Sequence, residues 1–437
     1  MNSQKLKSFW SRQIREIKNG GWAIILRKAK VLFNKFINLP FFMIGYTFAV
    51  PVVLFIRMIS SWKLIRFGYL YADRLGHFAF DVDYYLIEKK MGLHENSPID
   101  IFFYRWSKGE ASNSFFSIIA KRNLLIFGWV KYLFHMNAFL PGGEKNQYLP
   151  AIERFGSRDI LGLRRQVESQ LSFSEEEHAT GREFLNSIGV NKSEKIVCLM
   201  VRDSAYLAKD PLHNKINWDY HNYRDSDIDT YEDAALALAE KGYWIFRMGK
   251  IVNKPFKVRH PRIFDYANSN QKSDFLDIWI LANCSFGIST GLGIDYVADV
   301  FRKPIAYVNA MTLGEILPMP NPNSIWVPKN LIWIKNGRKL SLKEQIESGA
   351  ICFQRTEEYA NAGIDLIDNS PDDITKTVLE LELKITGDWE SQTQDEVLQG
   401  RFWEILQTWK MFSKLHGKIP SKMSDTFLRE NHEWFLN

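Results

Sequence analysis

Cysteine is scarce: Cys198, Cys284 and Cys352 are the only three in 437 residues, and no CxxC pair occurs. That excludes a disulfide-stapled fold, disfavours a structural zinc site and fits a reducing compartment. No GxxxxGK[ST] run is present, which sets aside a P-loop NTPase. No HExxH occurs, and the nine histidines show no ligand cluster. Repeats and low-complexity tracts are also missing. With 46% hydrophobic and 24% charged residues the chain is neither disordered nor collagenous. Its length points to two or three domains.

Acidic residues are nearly absent from the first 36 positions. Nine Lys and Arg stand there against Glu16 alone, a net +8, so the rest of the chain is −2. The body is therefore no general polyanion binder, and no nucleic acid is expected as partner. Leu6, Trp10, Ile14 and Ile17 recur at helical spacing, and after Gly20-Gly21 a second amphipathic pattern runs to Phe36. A basic, amphipathic arm of this kind suits an anionic membrane surface. Residues 37–56 follow without a charge, long enough to span a bilayer. Pro40 and Pro51 disfavour one straight helix. Arg57, Lys63 and Arg66 beyond it argue against export of the body. A bent segment that enters one leaflet and returns is the favoured reading, with the protein monotopic or peripheral on the cytoplasmic face of a bacterial inner membrane; a single pass and a buried core hairpin are the alternatives.

The body alternates strand and helix patterns. Residues 63–72 and 100–104 read as strands, 78–90 as a helix, and 161–170 and 174–187 as helices. From residue 195 the pattern is clearer: strands at 195–201, 243–247, 262–266, 285–289 and 304–309, with helices between them, one capped by Ser226 or Asp227 and one by Ser273. The fold class expected is α/β and GT-B-like, with two Rossmann-like domains facing a cleft. The expected division is 1–60 arm and apolar segment, 61–189 first Rossmann-like domain, 190–380 second Rossmann-like domain and 381–437 helical tail.

Ligands of open parallel sheets bind at the C-terminal strand ends. Those ends supply Arg202 and Asp203, then Arg247, Met248 and Gly249, then Asp265, then Ser289, Thr290 and Gly291; a loop adds His221, Asn222, Arg224 and Asp225. Three arginines and a glycine turn entering a helix predict a diphosphate site, since guanidinium groups bind phosphate bidentately and helix amides favour anions. Asp225 and Asp227 form a DxD pair, but at a helix start they read as caps, so neither a metal nor a cofactor is predicted. A diphosphate site on a second Rossmann domain describes a sugar-nucleotide transferase of the GT-B kind, with 61–189 as the acceptor-side domain, 190–380 as the nucleotide-sugar-binding domain, and guanidinium groups in place of a metal at the leaving group. The first strand-to-helix turn offers His77, or less well Asp73, as the base.

RLGH at 74–77, VRDS at 201–204, HNYRDSDIDTY at 221–231, GYWIFRMG at 242–249, SDFLDIWILANCSFGISTG at 273–291 and KPIAYVN at 303–309, behind a proline-containing apolar segment, resemble a family of bacterial glycosyltransferases encoded with surface-polysaccharide genes. The resemblance spans about residues 40–410 and implies a nucleotide-sugar donor and a saccharide acceptor in capsule, O-antigen or exopolysaccharide synthesis. A lipid-linked acceptor follows from the membrane location. The later half is distantly similar to the nucleotide-binding domain of inverting fucosyltransferases, where Arg202 matches the diphosphate arginine. A second arginine of that pattern is Asp203 here, which counts against GDP-fucose. Two rivals remain. GxSxG around Ser289, with Asp365 or Asp368 and His416 or His432 later in the chain, permits a serine hydrolase. A non-catalytic nucleotide- or sugar-binding protein of the same fold is the other.

Overall fold

The computed structural model describes residues 43–105, 111–210, 218–318, 321–417 and 422–437. The basic arm and the first residues of the apolar segment lie outside them. The chain divides into two compact units. One comprises residues 1–67, 98–101 and 127–148, the other 68–97, 102–126 and 149–437.

In the first unit, the Met43–Ser61 helix carries the apolar sequence. It continues through Pro51, which sits on the exposed side, while Pro40 lies outside the described residues. Arg57, near its end, donates from Nε to Asn137 Oδ1 at 2.8 Å and from its two terminal nitrogens to the carbonyls of Asn137, Leu140 and Pro141. One guanidinium thus satisfies the free carbonyls at the end of the Val130–Phe139 helix. Strands β1 (Ile65–Leu70) and β2 (Ile99–Tyr104) begin in this unit and end in the second, where β3 (Leu125–Ile126) completes a three-stranded sheet of order β1-β2-β3. Arg66 pairs with Asp100 at 2.7 Å.

The second unit is built on a seven-stranded parallel sheet. Its strands are β4 (Ile196–Met200), β5 (Trp244–Arg247), β6 (Ile263–Phe264), β7 (Phe286–Ser289), β8 (Ile305–Ala310), β9 (Ile325–Pro328) and, after the hairpin-like pair β10 (Asn330–Trp333) and β11 (Ile364–Ile367), β12 (Lys422–Met423). The order is β12-β9-β8-β7-β4-β5-β6, every pairing parallel. This is the α/β class expected, doubly wound, and it reverses direction between β4 and β7. Strands β4, β5, β7 and β8 are buried throughout, which is why KIVCLMV is apolar without alternation. The Glu232–Glu240 and Pro371–Thr386 helices cover one face. Ala234, Leu238, Val378 and Leu381 pack there on Val197, Leu199 and Ile245.

Local chemistry sets the boundaries. Ser273 accepts from Leu276 N and starts the Asp274–Asn283 helix as expected. Asp227 accepts from Asp229 N, so the DxD pair does cap, but the first turn is 3-10 (Ile228–Tyr231) before the α-helix begins. The helix expected at 161–170 is absent. Leu163 N and Arg164 N both donate to the Asp159 carboxylate at 2.9 Å, which holds the chain in turns. Arg164 is thereby sent inward to Asp83 at 2.8 Å and Asp299 at 2.6 Å, and Arg302 meets the same Asp83 at 3.0 Å. This buried network joins the Leu75–Lys90 helix to the Asp295–Val300 helix.

Asp81, also on the Leu75–Lys90 helix, is fully buried and accepts from Ile152 N at 2.9 Å. Burial pushes its pKa up to about 8, and that of Asp295 to about 7. In the unfolded chain both ionise near pH ~3.9. Above that pH the fold holds protons the unfolded chain has released, so stability is lost as pH rises toward 8. His77, His221 and His416, held down to about 4 by burial first, act in the opposite sense, but only below their ordinary ~6.5. The melting temperature should therefore fall from pH 6.5 to 8, and Asp81→Asn should flatten that decline. A variant as pH-sensitive as the parent in a thermal-melt series would contradict this assignment.

Candidate functional site

A cavity of about 420 Å³ opens at the C-terminal ends of the parallel strands, where β4 and β7 part, and lies wholly within the second unit. The volume is that of a small-ligand site. Of the residues singled out in the sequence, His77, Arg202, Asp203, His221, Arg224, Met248, Gly249 and Gly291 line it. Asp73, Asn222, Asp225, Arg247, Asp265, Ser289 and Thr290 do not.

Arg202 follows β4 directly. Its backbone N–H donates to Thr290 Oγ1 at 3.0 Å, which ties the β4 end to the β7 turn. Its Nε lies 3.1 Å from Asp225 Oδ1, at an angle too poor for a hydrogen bond. Arg224 donates to Gly291 O at 2.5 Å, and its Nε is buried without a hydrogen-bond partner among the described residues. Burial first, and Arg224 next, lower the proton affinity of Arg202. Burial lowers the pKa of His221 to about 4, and Arg202, Arg224, Arg74 and Arg355 add to the effect. Four guanidinium groups therefore act on one imidazole, three of them from the cavity wall. Asp225 offsets Arg202 only in part. The wall also carries Asp203, Asp277, Asp295 and Glu315, so the positive charge gathers beside His221 and does not extend over the whole cavity.

Arg247 departs from the expectation. Only 1% of its side chain is exposed, and it lies between Asp203 at 3.9 Å and Asp265 at 3.6 Å beneath the cavity floor. Asp203, where the fucosyltransferase-like pattern has arginine, accepts from Ala205 N and Asn253 N at 2.9 Å each and fixes the surrounding loop. Asp265 accepts from Phe256 N and Asn268 Nδ2. Asp227 and Asp229 both pair with Lys254 at 2.6 and 2.7 Å.

The turn at 289–293 also differs from a bare-amide anion cradle. Ser289 Oγ donates to Asp295 Oδ2 at 2.7 Å; Gly291 N donates to Ser289 Oγ at 3.0 Å and Leu292 N to Asp295 Oδ2 at 2.7 Å. Those two amides are spent inside the turn. The same bonds remove the hydrolase reading. Ser289 is fully buried and its hydroxyl faces a carboxylic acid rather than an imidazole, while His416 is bonded to Gly314 O at 2.8 Å and His432 to Arg429 O at 2.9 Å. An active-serine probe should leave Ser289 unlabelled, and labelling there would restore that reading.

Sequence reasoning placed His77 at the site, and the geometry explains how. Gly76 sits against Gly293: a Cβ at Gly76 would lie 3.0 Å from the Gly293 Cα and carbonyl. Backbone contact between these turns brings the RLGH turn to the β7 end. His77 Nδ1 is 2.9 Å from Ser157 Oγ, and burial, then Arg74, lowers its pKa to about 4. It is neutral at physiological pH, with one ring nitrogen fixed by serine. Asp73 is half-buried, with its Oδ1 shielded from solvent, and does not line the cavity.

The sequence reading missed Arg74 and Arg158 as wall residues, with Tyr307 and Trp326, whose rings stack at 4.0 Å. Arg158 follows Gly156 and Ser157, both at positive φ, and meets Glu315 at 3.4 Å. Arg74 stood in the quoted RLGH motif; its position as N-cap of the helix that carries His77 was the available signal.

No family model matches the chain, and no curated protein does. Among solved structures it is similar to ADP-heptose lipopolysaccharide heptosyltransferase II of E. coli, at 11% identity and TM-score 0.40 over 73% of this chain and 99% of that one. It is also similar to a glycosyl transferase family 9 protein of Veillonella parvula, at 11% identity and TM-score 0.43 over 74% and 98%. A third is the iron-containing dodecameric glycosyltransferase TibC of enterotoxigenic E. coli, at 10% identity and TM-score 0.30 over 61% and 62%. Likeness this loose lends the chain neither an activity nor a substrate.

Proposed function

We propose that the chain is a glycosyltransferase that binds the diphosphate of a nucleotide sugar in the cavity and passes the sugar to a saccharide acceptor. The observation that carries this reading is the convergence of Arg74, Arg202 and Arg224 on one cavity at the strand reversal, where all three lower the proton affinity of His221. In the reaction an acceptor hydroxyl attacks the anomeric carbon. The new C–O bond forms as the bond to the diphosphate breaks, the hydroxyl proton passes to a base, and the diphosphate leaves with the electron pair. Arg202 and Arg224 stabilise that leaving charge, so no metal or other cofactor is needed. His77 is the candidate base: it is neutral, on the cavity wall, and held by Ser157. The basic arm and apolar helix support work at the cytoplasmic face of a bacterial inner membrane on a lipid-linked acceptor, in surface-polysaccharide synthesis.

The test is release of nucleoside diphosphate from a panel of UDP-, GDP-, CDP-, ADP- and dTDP-sugars, with membrane extract as acceptor source and Arg224→Ala as control. Acceptor-dependent release lost in the control supports the proposal. Release from none of the donors, or equal release by the control, refutes it.

A further inference from the structure

Exposed apolar side chains gather in the first unit. The Met43–Ser61 helix turns Ile44, Phe48 and Phe55 outward, and Trp62 just beyond it is 86% exposed. Its opposite face is occupied: Ala49, Val53 and Ile56 are buried, Tyr46 meets Tyr132 edge-on at 5.3 Å, and Arg57 holds the end of the Val130–Phe139 helix. That second helix brings its own apolar surface. Phe127 and Trp129 stack at 5.7 Å with both rings exposed, and Phe139 is 80% exposed.

Charge follows the same division. With the basic arm, the first unit holds fourteen Lys and Arg against three acids, +11, which leaves the second unit at −5. An apolar, aromatic-rimmed surface on a strongly basic unit matches an anionic bilayer in both respects. The second helix has ten residues, about 15 Å long, half of a ~30 Å hydrocarbon core. Because Arg57 ties the two helices together, the pair is built to lie in one leaflet rather than to cross.

We infer that residues 127–139 form a second membrane-inserting element beside the Met43–Ser61 helix, the two making an in-plane platform for an anionic bilayer surface. This goes beyond anchoring by the N-terminal segment and holds whatever the cavity binds.

The test uses the full chain with Cys352→Ser, labelled with an environment-sensitive fluorophore at Phe139→Cys. A reference carries the label at Val397→Cys, an exposed position of the second unit. Vesicles of phosphatidylcholine with phosphatidylglycerol should blue-shift the probe at 139 and not at 397. The Trp129→Ser, Phe139→Ser double variant should partition about tenfold or more weakly into them. The inference is overturned if vesicle-bound protein keeps the 139 probe in water, if the double variant binds like the parent, or if phosphatidylcholine alone binds equally well. It is likewise overturned if the 139 probe is already shifted without vesicles and sedimentation shows a dimer, since a second copy would then cover the face.

Discussion

Alanine at Arg202 or at Arg224 is expected to weaken nucleoside diphosphate binding about 10- to 100-fold, because a charge-assisted contact is worth roughly 1.5–3 kcal/mol. The two changes should differ in what else they disturb. Arg224 donates to the carbonyl of Gly291 at the turn, so its removal also frees the glycine loop. Arg202 is partly balanced by Asp225, so its removal leaves that carboxylate without its nearest countercharge. Each change should therefore cost some stability along with affinity, Arg202→Ala through an unbalanced carboxylate and Arg224→Ala through a loosened turn. Arg247→Ala serves as the contrast. With its side chain beneath the floor between Asp203 and Asp265, its loss strands two carboxylates and should lower the melting temperature before it touches the ligand. Calorimetric titration and thermal melts of the three variants separate these effects. Equal affinity in parent, Arg202→Ala and Arg224→Ala would show that the cavity is not the anion site.

The second large effect concerns the fold. Asp83 is shared by Arg164 and Arg302, all within the second unit, and neither carboxylate oxygen reaches solvent. Removal of one partner from a buried ion network leaves charge unpaired at a cost of roughly 3–5 kcal/mol. For a unit of this size, Asp83→Ala should lower the melting temperature on the order of 10 °C. Asp83→Asn keeps an acceptor oxygen and should cost less. A melting temperature unchanged in Asp83→Ala would mean that the network contributes nothing. Because the network joins the helix that bears His77 to the helix that follows the β7 turn, its loss should also loosen the cavity.

Much of the later sheet was readable in sequence because its strands are continuous apolar runs bounded by caps and glycines. Ser273 and Asp227 act as the caps their positions implied. Strands β9 and β12 were not seen: IWVP ends in proline and KM is two residues long, too short for any periodic signal. Arg202 and Arg224 were legible because they follow strand ends or loops. Arg247 was misread for a specific reason. It is the last residue of a strand buried on both faces, where alternation gives no sign of which way a side chain turns. The turn amides were misread because Asp295, six residues after Ser289, folds back onto them, and nothing in the spacing announces that. Arg74 and Arg158 reach the cavity only through long-range packing, the first through the Gly76–Gly293 contact. That closeness between residues more than two hundred positions apart is not a property of either local sequence.

The most direct test of the cavity's role is a calorimetric titration of the full chain with UDP, GDP, CDP, ADP and dTDP beside the matching monophosphates. A site made by Arg74, Arg202 and Arg224 should bind at least one diphosphate about tenfold or more tightly than its monophosphate, and that preference should shrink as salt is raised. Indifference to the second phosphate, or no heat with any of the ten, would contradict it.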